Sequence, residues 1–325
     1  MRAPHLHFAF ARPGLTTFKV SGPPATPAMT LPSSFARAFG VSLARGRHEE
    51  VHAAVAALPR GPLKLHVFER DLPVPPEEQP VATRGLRMMA IDQDLRLAMP
   101  GVFDEDLRAR VGDRVLDVIV PHGSEPDEPW LIGLHTHHAG HGPWPGGVTY
   151  APPPPHAPSR AWSKVEEALA WSDLEPKIGE ICVEIGAAPG GATLNMLDRG
   201  LEVHGIDPGQ MAPNVLAFHG EHGNRFIHHH MPAAEVDARA LPRHYQWLLL
   251  DVNLAPMVAL RYVERFVALA HGGLRGALLT LKINDDGIFQ ALPRLYERIR
   301  KLNPSTMRVT QLPSHRSEVV AILTF

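Results

Sequence analysis

Four charged residues stand at the ends of apolar or helical segments, where a charge is usually either paired or involved in chemistry. Lys164 lies in a segment with helical spacing, and Asp251 follows the apolar run "WLLL". Lys282 ends the run "LLTL", and Glu318 precedes "VVAIL". Two ammonium groups and two carboxylates can orient a hydroxyl group and move its proton if the fold brings them together.

A glycine-containing turn, "GAAPGG", follows the apolar run "ICVEI" and precedes a helical segment. Glycine lets the backbone approach a ligand closely, and a helix N-terminus offers free N–H groups. Asp207 ends the next apolar run, where a carboxylate can accept hydrogen bonds from ribose hydroxyls. We therefore predict a site for a ribose-containing cofactor, whose residues are Gly186, Ala187, Ala188, Pro189, Gly190, Gly191, Asp207 and Asp251.

The turn favours one cofactor over another. The NAD fingerprint is G-x-G-x-x-G, but Ala188 stands at its middle glycine and Pro189 lacks a backbone N–H. S-adenosylmethionine has no phosphates, so it loses less from these changes, and we predict it as the cofactor. A purely structural strand–turn–helix without a ligand is the alternative.

The elements that must position these residues follow from the pattern of the chain beyond residue 160. Apolar runs alternate with helical segments, which predicts a parallel, doubly wound α/β sheet. The segment "MRVTQLPSHRSEVVAILTF" predicts an antiparallel hairpin at the end. The predicted strands are 181–185, 202–206, 226–229, 246–250, 276–282, 307–312 and 318–325, and the predicted helices include 161–172, 191–199, 256–270 and 288–301.

This layout is a Rossmann-like, seven-stranded sheet with a terminal antiparallel hairpin, as in class I methyltransferases. In a parallel sheet the carboxyl ends of the strands line the ligand crevice, which places Asp251 and Lys282 beside the cofactor. The last strand runs in the opposite direction. Its first residue, Glu318, is therefore expected at the same edge.

The chain divides at a Pro- and Gly-rich segment, 142–160, which predicts a stiff linker between an N-terminal domain, 1–141, and a methyltransferase domain, 161–325. The N-terminal part reads as a smaller accessory α/β domain for substrate or RNA binding. Its predicted strands are "HLHFAFA", "LKLHVFER", "DRVLDVIV" and "PWLIGLHTH", its predicted helices are "RHEEVHAAVAAL" and "DEDLRARV", and residues 71–85 are predicted as a loop.

Composition excludes few functions. Of the 325 residues 44% are hydrophobic, enough for a full core, and the net charge of −2 gives no overall signal for nucleic acid. The single cysteine, Cys182, cannot form an internal disulfide, and neither a signal peptide nor a membrane span is evident. We expect a monomeric cytoplasmic protein.

Two groups of histidines suggest zinc at first sight: His135, His137, His138 and His141, and His228 to His230. Zinc sites usually add cysteine or a spaced histidine pair on ordered elements. The first group borders the Pro/Gly-rich segment, and 20 histidines in the chain make chance clusters common. We therefore expect no metal.

The order Lys164, Asp251, Lys282, Glu318, with "GAAPGG" after the first lysine, resembles the FtsJ-like ribose 2′-O-methyltransferases. The stretches "APSRAWSKVEEAL", "VEIGAAPGG", "IDPGQMA", "LLLDV", "LLTLKI" and "SEVVAIL" are most similar to the bacterial RlmM-type branch. That resemblance implies a K-D-K-E catalytic tetrad with Lys282 as general base or orienting group. It also implies methylation of a cytidine in large-subunit (23S) ribosomal RNA and a THUMP-like N-terminal module.

The sequence departs from the FtsJ-like pattern at two places. Ala192 stands where an aromatic residue often follows the glycine pair, and no acid ends the third predicted strand of the sheet. Glu235 and Asp237 are the candidates for the missing acid, which holds the adenine in that family. Two other functions stay open: an NAD-linked oxidoreductase, which leaves Lys164 and Glu318 without roles, and a non-catalytic RNA-binding relative, in which a broken tetrad is expected.

Overall fold

The computed structural model describes residues 5–31, 33–70, 81–123, 127–148 and 152–325. The chain forms two compact units, Met1–Val148 and Thr149–Phe325. The division falls inside the Pro/Gly-rich segment, because residues up to 148 are bonded to the first unit. Gly142 N donates to Arg37 O, and Ala109 N donates to Pro143 O.

The first unit is a small α/β unit with two sheets. Its elements are β1 (Leu6–Arg12), β2 (Leu15–Val20), β3 (Val41–Gly46), α1 (His48–Ala57), β4 (Lys64–Glu69), α2 (Val81–Ala98), β5 (Arg114–Val120) and β6 (Trp130–Thr136). Strands β1 and β2 form an antiparallel pair. The other four form a sheet in the order β3-β6-β5-β4, in which only β4 and β5 are parallel. Leu65, Leu116 and Ile132 lie fully buried in its core.

The predicted helix "DEDLRARV" is wrong, because residues 104–110 form an irregular loop. Aspartate side chains accept hydrogen bonds from nearby backbone N–H groups there: Asp106 N donates to Asp104 Oδ1 and Arg108 N to Asp106 Oδ1. Such bonds compete with helix formation. The loop is further tied to β4, since Lys64 Nζ donates to Asp106 O.

The predicted loop 71–85 is partly wrong, because helix α2 begins at Val81; residues 71–80 lie outside the described residues. Helix α2 packs Met88, Ile91 and Leu95 against the core, a spacing that places them on one helical face. Exposed apolar residues on the rest of the helix, Leu86, Met89 and Leu97, obscured this face in the sequence. Strands β2 and β3 were also not predicted, because both are largely exposed.

The second unit holds a seven-stranded mixed sheet with helices on both faces. Its elements are α3 (Ala161–Ser172), β7 (Ile181–Ile185), α4 (Gly191–Asp198), β8 (Glu202–Ile206), α5 (Pro213–Leu216), β9 (Phe226–His229), β10 (Trp247–Leu250), α6 (Pro256–Leu269), β11 (Gly276–Lys282), α7 (Asp286–Arg300), β12 (Thr306–Thr310) and β13 (Glu318–Thr324). The order is β12-β13-β11-β10-β7-β8-β9, with β13 antiparallel to both of its neighbours. The predicted parallel sheet with a terminal hairpin is confirmed.

Both faces of this sheet are buried, which explains why its strands are continuous apolar runs. Residues of α6 and α7, such as Phe266 and Ile299, cover one face. Residues of α3 and α4, such as Leu169 and Met196, cover the other. Among the described helices none is long and apolar enough to cross a membrane.

Candidate active site

Lys164, Asp251, Lys282 and Glu318 come together as a closed ring of alternating charges, called here the charge ring. Lys164 Nζ donates to Asp251 Oδ2 at 2.8 Å and lies 2.7 Å from Glu318 Oε2. Lys282 Nζ donates to Asp251 Oδ1 at 3.1 Å and forms an ion pair with Glu318 Oε1. Each charge therefore has two neighbours of the opposite sign. All four side chains are mostly buried, with exposed fractions of 12–20%.

The backbone explains why these four residues meet. Asp251 and Lys282 follow or end the parallel strands β10 and β11, so both lie at the carboxyl edge of the sheet. Glu318 begins the antiparallel strand β13 directly opposite Lys282. Lys164 reaches the same edge from α3, which packs against the sheet.

The ring fixes the charges of Asp251 and Lys282. Burial alone would raise the pKa of Asp251, but the ammonium groups of Lys164 and Lys282 outweigh it, and the pKa is lowered. Burial alone would lower the pKa of Lys282, but Asp251 and Glu318 outweigh it, and the pKa is raised. In the free protein Lys282 is therefore a protonated ammonium group at neutral pH.

The glycine turn lies against the charge ring through the backbone. Gly186 has φ +87°, and a Cβ there would stand 2.3 Å from Asp251 O. Gly191 begins α4, and a Cβ there would stand 2.2 Å from Ser159 Oγ. Only glycine fits these two close approaches. The two glycines consequently let the turn pack closely against Asp251 and Ser159.

Asp207 faces this turn, as its position after β8 predicts. Its Oδ2 accepts a hydrogen bond from Ala188 N at 3.1 Å, and its Oδ1 accepts one from Gly209 N at 2.6 Å. Each carboxylate oxygen keeps a further lone pair for a ligand. The side chain is thus fixed beside the turn while it can still accept hydroxyl protons.

The two candidates for the adenine acid occupy different positions. Asp237 accepts from Arg239 N and pairs with the Arg239 side chain, and both residues are exposed. Glu235 is also exposed. Two histidines in and directly after β9 are bonded to carbonyl groups instead: His228 Nε2 to Asp207 O and His230 Nε2 to Pro208 O. Ala192, where an aromatic residue is usual, lies buried in the core.

Sequence reasoning missed two buried polar residues next to the site. Glu184 in β7 accepts a hydrogen bond from Thr193 Oγ1 at 2.6 Å, and burial raises its pKa to about 8. His315 lies 2% exposed beside the ring, and burial and then the charge of Lys164 lower its pKa to about 4. Both line a small cavity together with Lys164 and Asp251. A charged residue inside the otherwise apolar "ICVEI" was the available signal for Glu184.

The second unit has the fold of a class I methyltransferase. This fold is defined by the order of the strands, by a glycine turn after the first parallel strand and by an acid after the second. In curated proteins, the chain is 31% identical over 192 residues to ribosomal RNA large subunit methyltransferase M of Azoarcus sp. (strain BH72), covering 56% of this chain and 50% of that protein. It is 36% identical over 152 residues to the protein of the same name from Halorhodospira halophila, covering 45% and 42%. The resemblance to the RlmM-type FtsJ-like family is confirmed by these relatives.

The chain spans about half the length of the curated relatives it matches. No protein-family model matches it.

Solved structures show distant similarity only. A Lactococcus lactis protein assigned provisionally as a hemolysin has a TM-score of 0.42 at 18% identity, covering 53% of this chain and 89% of that chain. Magnesium protoporphyrin IX methyltransferase from Synechocystis with bound SAH has a TM-score of 0.33 at 16% identity, covering 50% and 83%.

Proposed function

We propose that this chain transfers a methyl group from S-adenosylmethionine to the 2′-hydroxyl of a ribose in RNA, with large-subunit ribosomal RNA as the substrate. The observation that carries the proposal is the closed charge ring of Lys164, Asp251, Lys282 and Glu318 beside the glycine turn. A hydroxyl group is a very weak acid, so its methylation needs groups that orient it and accept its proton. The ring supplies ammonium groups that can orient the hydroxyl and carboxylates that can accept its proton.

The residues of the turn fit the cofactor. Gly186 lets the turn pack directly against the backbone of Asp251, and Asp207 retains free lone pairs at the position where ribose hydroxyls are held in this fold. When bound, S-adenosylmethionine supplies an activated methyl group on its sulfonium. Ala188 and Pro189 reduce the backbone donors that a pyrophosphate would need, which favours this cofactor over NAD.

Lys282 acts on the hydroxyl as an orienting group. Its pKa is raised, so it is an ammonium group that donates to the 2′-oxygen and stabilises the negative charge developing there. Glu318 forms ion pairs with Lys164 and Lys282, so its carboxylate lies beside the group that orients the hydroxyl. We assign the proton of the hydroxyl to this carboxylate.

The relatives support RNA as the substrate, because both are named as methyltransferases of large-subunit ribosomal RNA. The first unit, a mixed α/β unit with its own core, would serve as the THUMP-like RNA-binding module. The net charge of −2 requires that RNA affinity come from a local patch, and such affinity falls with salt. An NAD-linked oxidoreductase gives no role to Lys164 and Glu318, and a non-catalytic relative has no need for a complete ring.

The test is transfer of labelled methyl from S-adenosylmethionine to ribosomal RNA that lacks the host's own modifications. We compare the wild type with Lys282→Ala and with Lys177→Ala, which changes an exposed lysine of the same unit. Label on ribose with the wild type and Lys177→Ala, and none with Lys282→Ala, is the expected result. Mapping the label then identifies the nucleotide.

Calorimetric binding of S-adenosylmethionine separates the parts of the proposal. If the cofactor binds but no RNA, naked or in a partly assembled subunit, accepts label, the substrate assignment is wrong. If the cofactor does not bind and NAD does, the assignment of the turn itself is wrong.

A further inference from the structure

Three histidines converge at the end of strand β6 in the first unit, far in sequence from the charge ring. His135 lies in β6, His137 follows it by two residues, and His141 lies in the next loop. Their candidate ligand nitrogens all lie within 4.8 Å of one another. Each of the three residues is at most 5% exposed. Residues two apart on a strand point to the same side, which explains how His135 and His137 face one centre.

Each of the three rings has a nitrogen that can bind a metal ion. His135 Nε2 and His137 Nδ1 are buried and have no hydrogen-bond partner. His141 Nε2 bonds Phe39 O at 2.8 Å, so its Nδ1 carries the lone pair, and only a long 3.4 Å contact from His138 N approaches it. Buried polar atoms without partners are rare and costly, and a bound metal ion would supply the partner that these nitrogens need.

The opposite nitrogens of two rings are held by acceptors. His135 Nδ1 bonds Asp117 Oδ2 at 2.6 Å, and His141 Nε2 bonds the carbonyl of Phe39. Metal-binding histidines almost always use the second nitrogen in this way, donating to a carboxylate or to a backbone carbonyl. These bonds fix the tautomers in which Nε2 of His135 and Nδ1 of His141 are free to bind.

We propose that His135, His137 and His141 bind one divalent transition-metal ion of the zinc class. Three imidazole ligands suit Zn²⁺ and its neighbours in the series, and a solvent or substrate ligand would complete the coordination. The sequence suggested no metal because no cysteine stands nearby and the group borders a Pro/Gly-rich segment. In the structure, however, the end of β6 is an ordered element. Thr136 N donates to Pro27 O, and His137 N donates to Asp113 O.

The experiment titrates the full chain, freed of metal by a chelator, with Zn²⁺ against a chromophoric chelator. Co²⁺ as a second probe reports nitrogen coordination through its visible absorption. The wild type is expected to bind one equivalent of Zn²⁺. His137→Gln and His141→Gln should abolish binding, and Asp117→Asn should weaken it by about 10- to 100-fold.

His52→Gln changes an exposed histidine on α1 of the same unit and should leave the affinity unchanged. Absence of stoichiometric binding by the wild type, or unchanged affinity in both ligand variants, overturns the proposal. If circular dichroism shows that the ligand variants do not fold, the test rests on the wild type alone. One equivalent of Zn²⁺ must then shift the imidazole NMR signals of His135, His137 and His141, and shifts confined to other histidines overturn the site.

Discussion

Lys282 and Glu318 are direct partners in the antiparallel register of β11 and β13. Their side chains form an ion pair where the parallel strands of the sheet end. The two residues therefore stay opposite each other as long as the seven strands keep their register. Asp251 and Lys164 close the ring around this pair. The catalytic geometry that we propose is thus tied to the backbone of the sheet.

The first prediction concerns the charge of residue 282. Lys282→Ala should lower methyl transfer by about 10²- to 10³-fold, the usual range for a lost donor that stabilises a developing negative charge. Lys282→Arg keeps a cation and should retain more activity than Lys282→Ala, because the proposed role needs a positive charge. Single-turnover rates at saturating cofactor measure both. Equal loss in the two variants would contradict the orienting role.

The second prediction concerns pH. Lys282 is held protonated by Asp251 and Glu318, so it cannot accept a proton near neutrality. With Glu318 as the acceptor, the rate of methyl transfer should be level from about pH 7 to about 9. A lysine base would instead give a rate that rises tenfold per pH unit over this interval. Rapid-quench measurements across the interval decide between the two.

The third prediction uses two glycines with the same backbone conformation. Gly179 and Gly186 have φ of +82° and +87°, but a Cβ at Gly179 meets open space. Gly179→Ala should cost about 1–2 kcal/mol of stability for the left-handed backbone alone. Gly186→Ala adds the clash with Asp251 O, and it should cost more and reduce cofactor affinity. Denaturant unfolding and calorimetry measure the two effects; equal costs would show that the turn tolerates a side chain.

The fourth prediction concerns the acid after β8. Asp207→Asn should weaken binding of S-adenosylmethionine by about 10- to 100-fold, because a charged hydrogen bond contributes about 1.5–3 kcal/mol. Asp237→Asn should have no effect, since Asp237 is exposed and paired with Arg239. Isothermal titration calorimetry compares the two. Weaker binding in Asp237→Asn would place that residue at the adenine after all.

The fifth prediction concerns the stability of the second unit. The pKa of Glu184 is raised by burial from 4.5 to about 8, so the folded state binds its proton more tightly than the unfolded state does. The contribution of Glu184 to the free energy of unfolding is fully present below pH 4.5 and is lost as pH rises towards 8. The wild type should lose up to about 1.4 kcal/mol per pH unit in this interval relative to Glu184→Gln, which cannot ionise. Parallel denaturant curves that show no such difference would contradict it.

The second unit could be predicted from the sequence almost to the residue. The predicted and observed ends of its strands and helices differ by at most two residues, because buried strands are continuous apolar runs bounded by Gly, Pro or charge. The meeting of Asp251, Lys282 and Glu318 at one edge followed from the direction of the strands, whereas the position of Lys164 on α3 did not. Their mutual hydrogen bonds did not, since these depend on side-chain conformations that strand direction does not specify.

The first unit was harder to predict for physical reasons. Its strands β2 and β3 are largely exposed and lack a strong apolar alternation. The segment "DEDLRARV" has helical composition, but Asp104 and Asp106 bond the backbone and hold it as a loop. His135, His137 and His141 gave no reliable sequence signal, because only the end of β6 and the loop after it bring the three rings together.

The charge ring has a consequence for how the protein would find its RNA. Two ammonium groups and two carboxylates compensate each other, so the field of the ring decays within a few ångströms and attracts no polyanion from a distance. In the proposed function, capture of the RNA and chemistry on it would therefore be carried by different surfaces. Added salt should slow the encounter, while the rate within the bound complex stays the same.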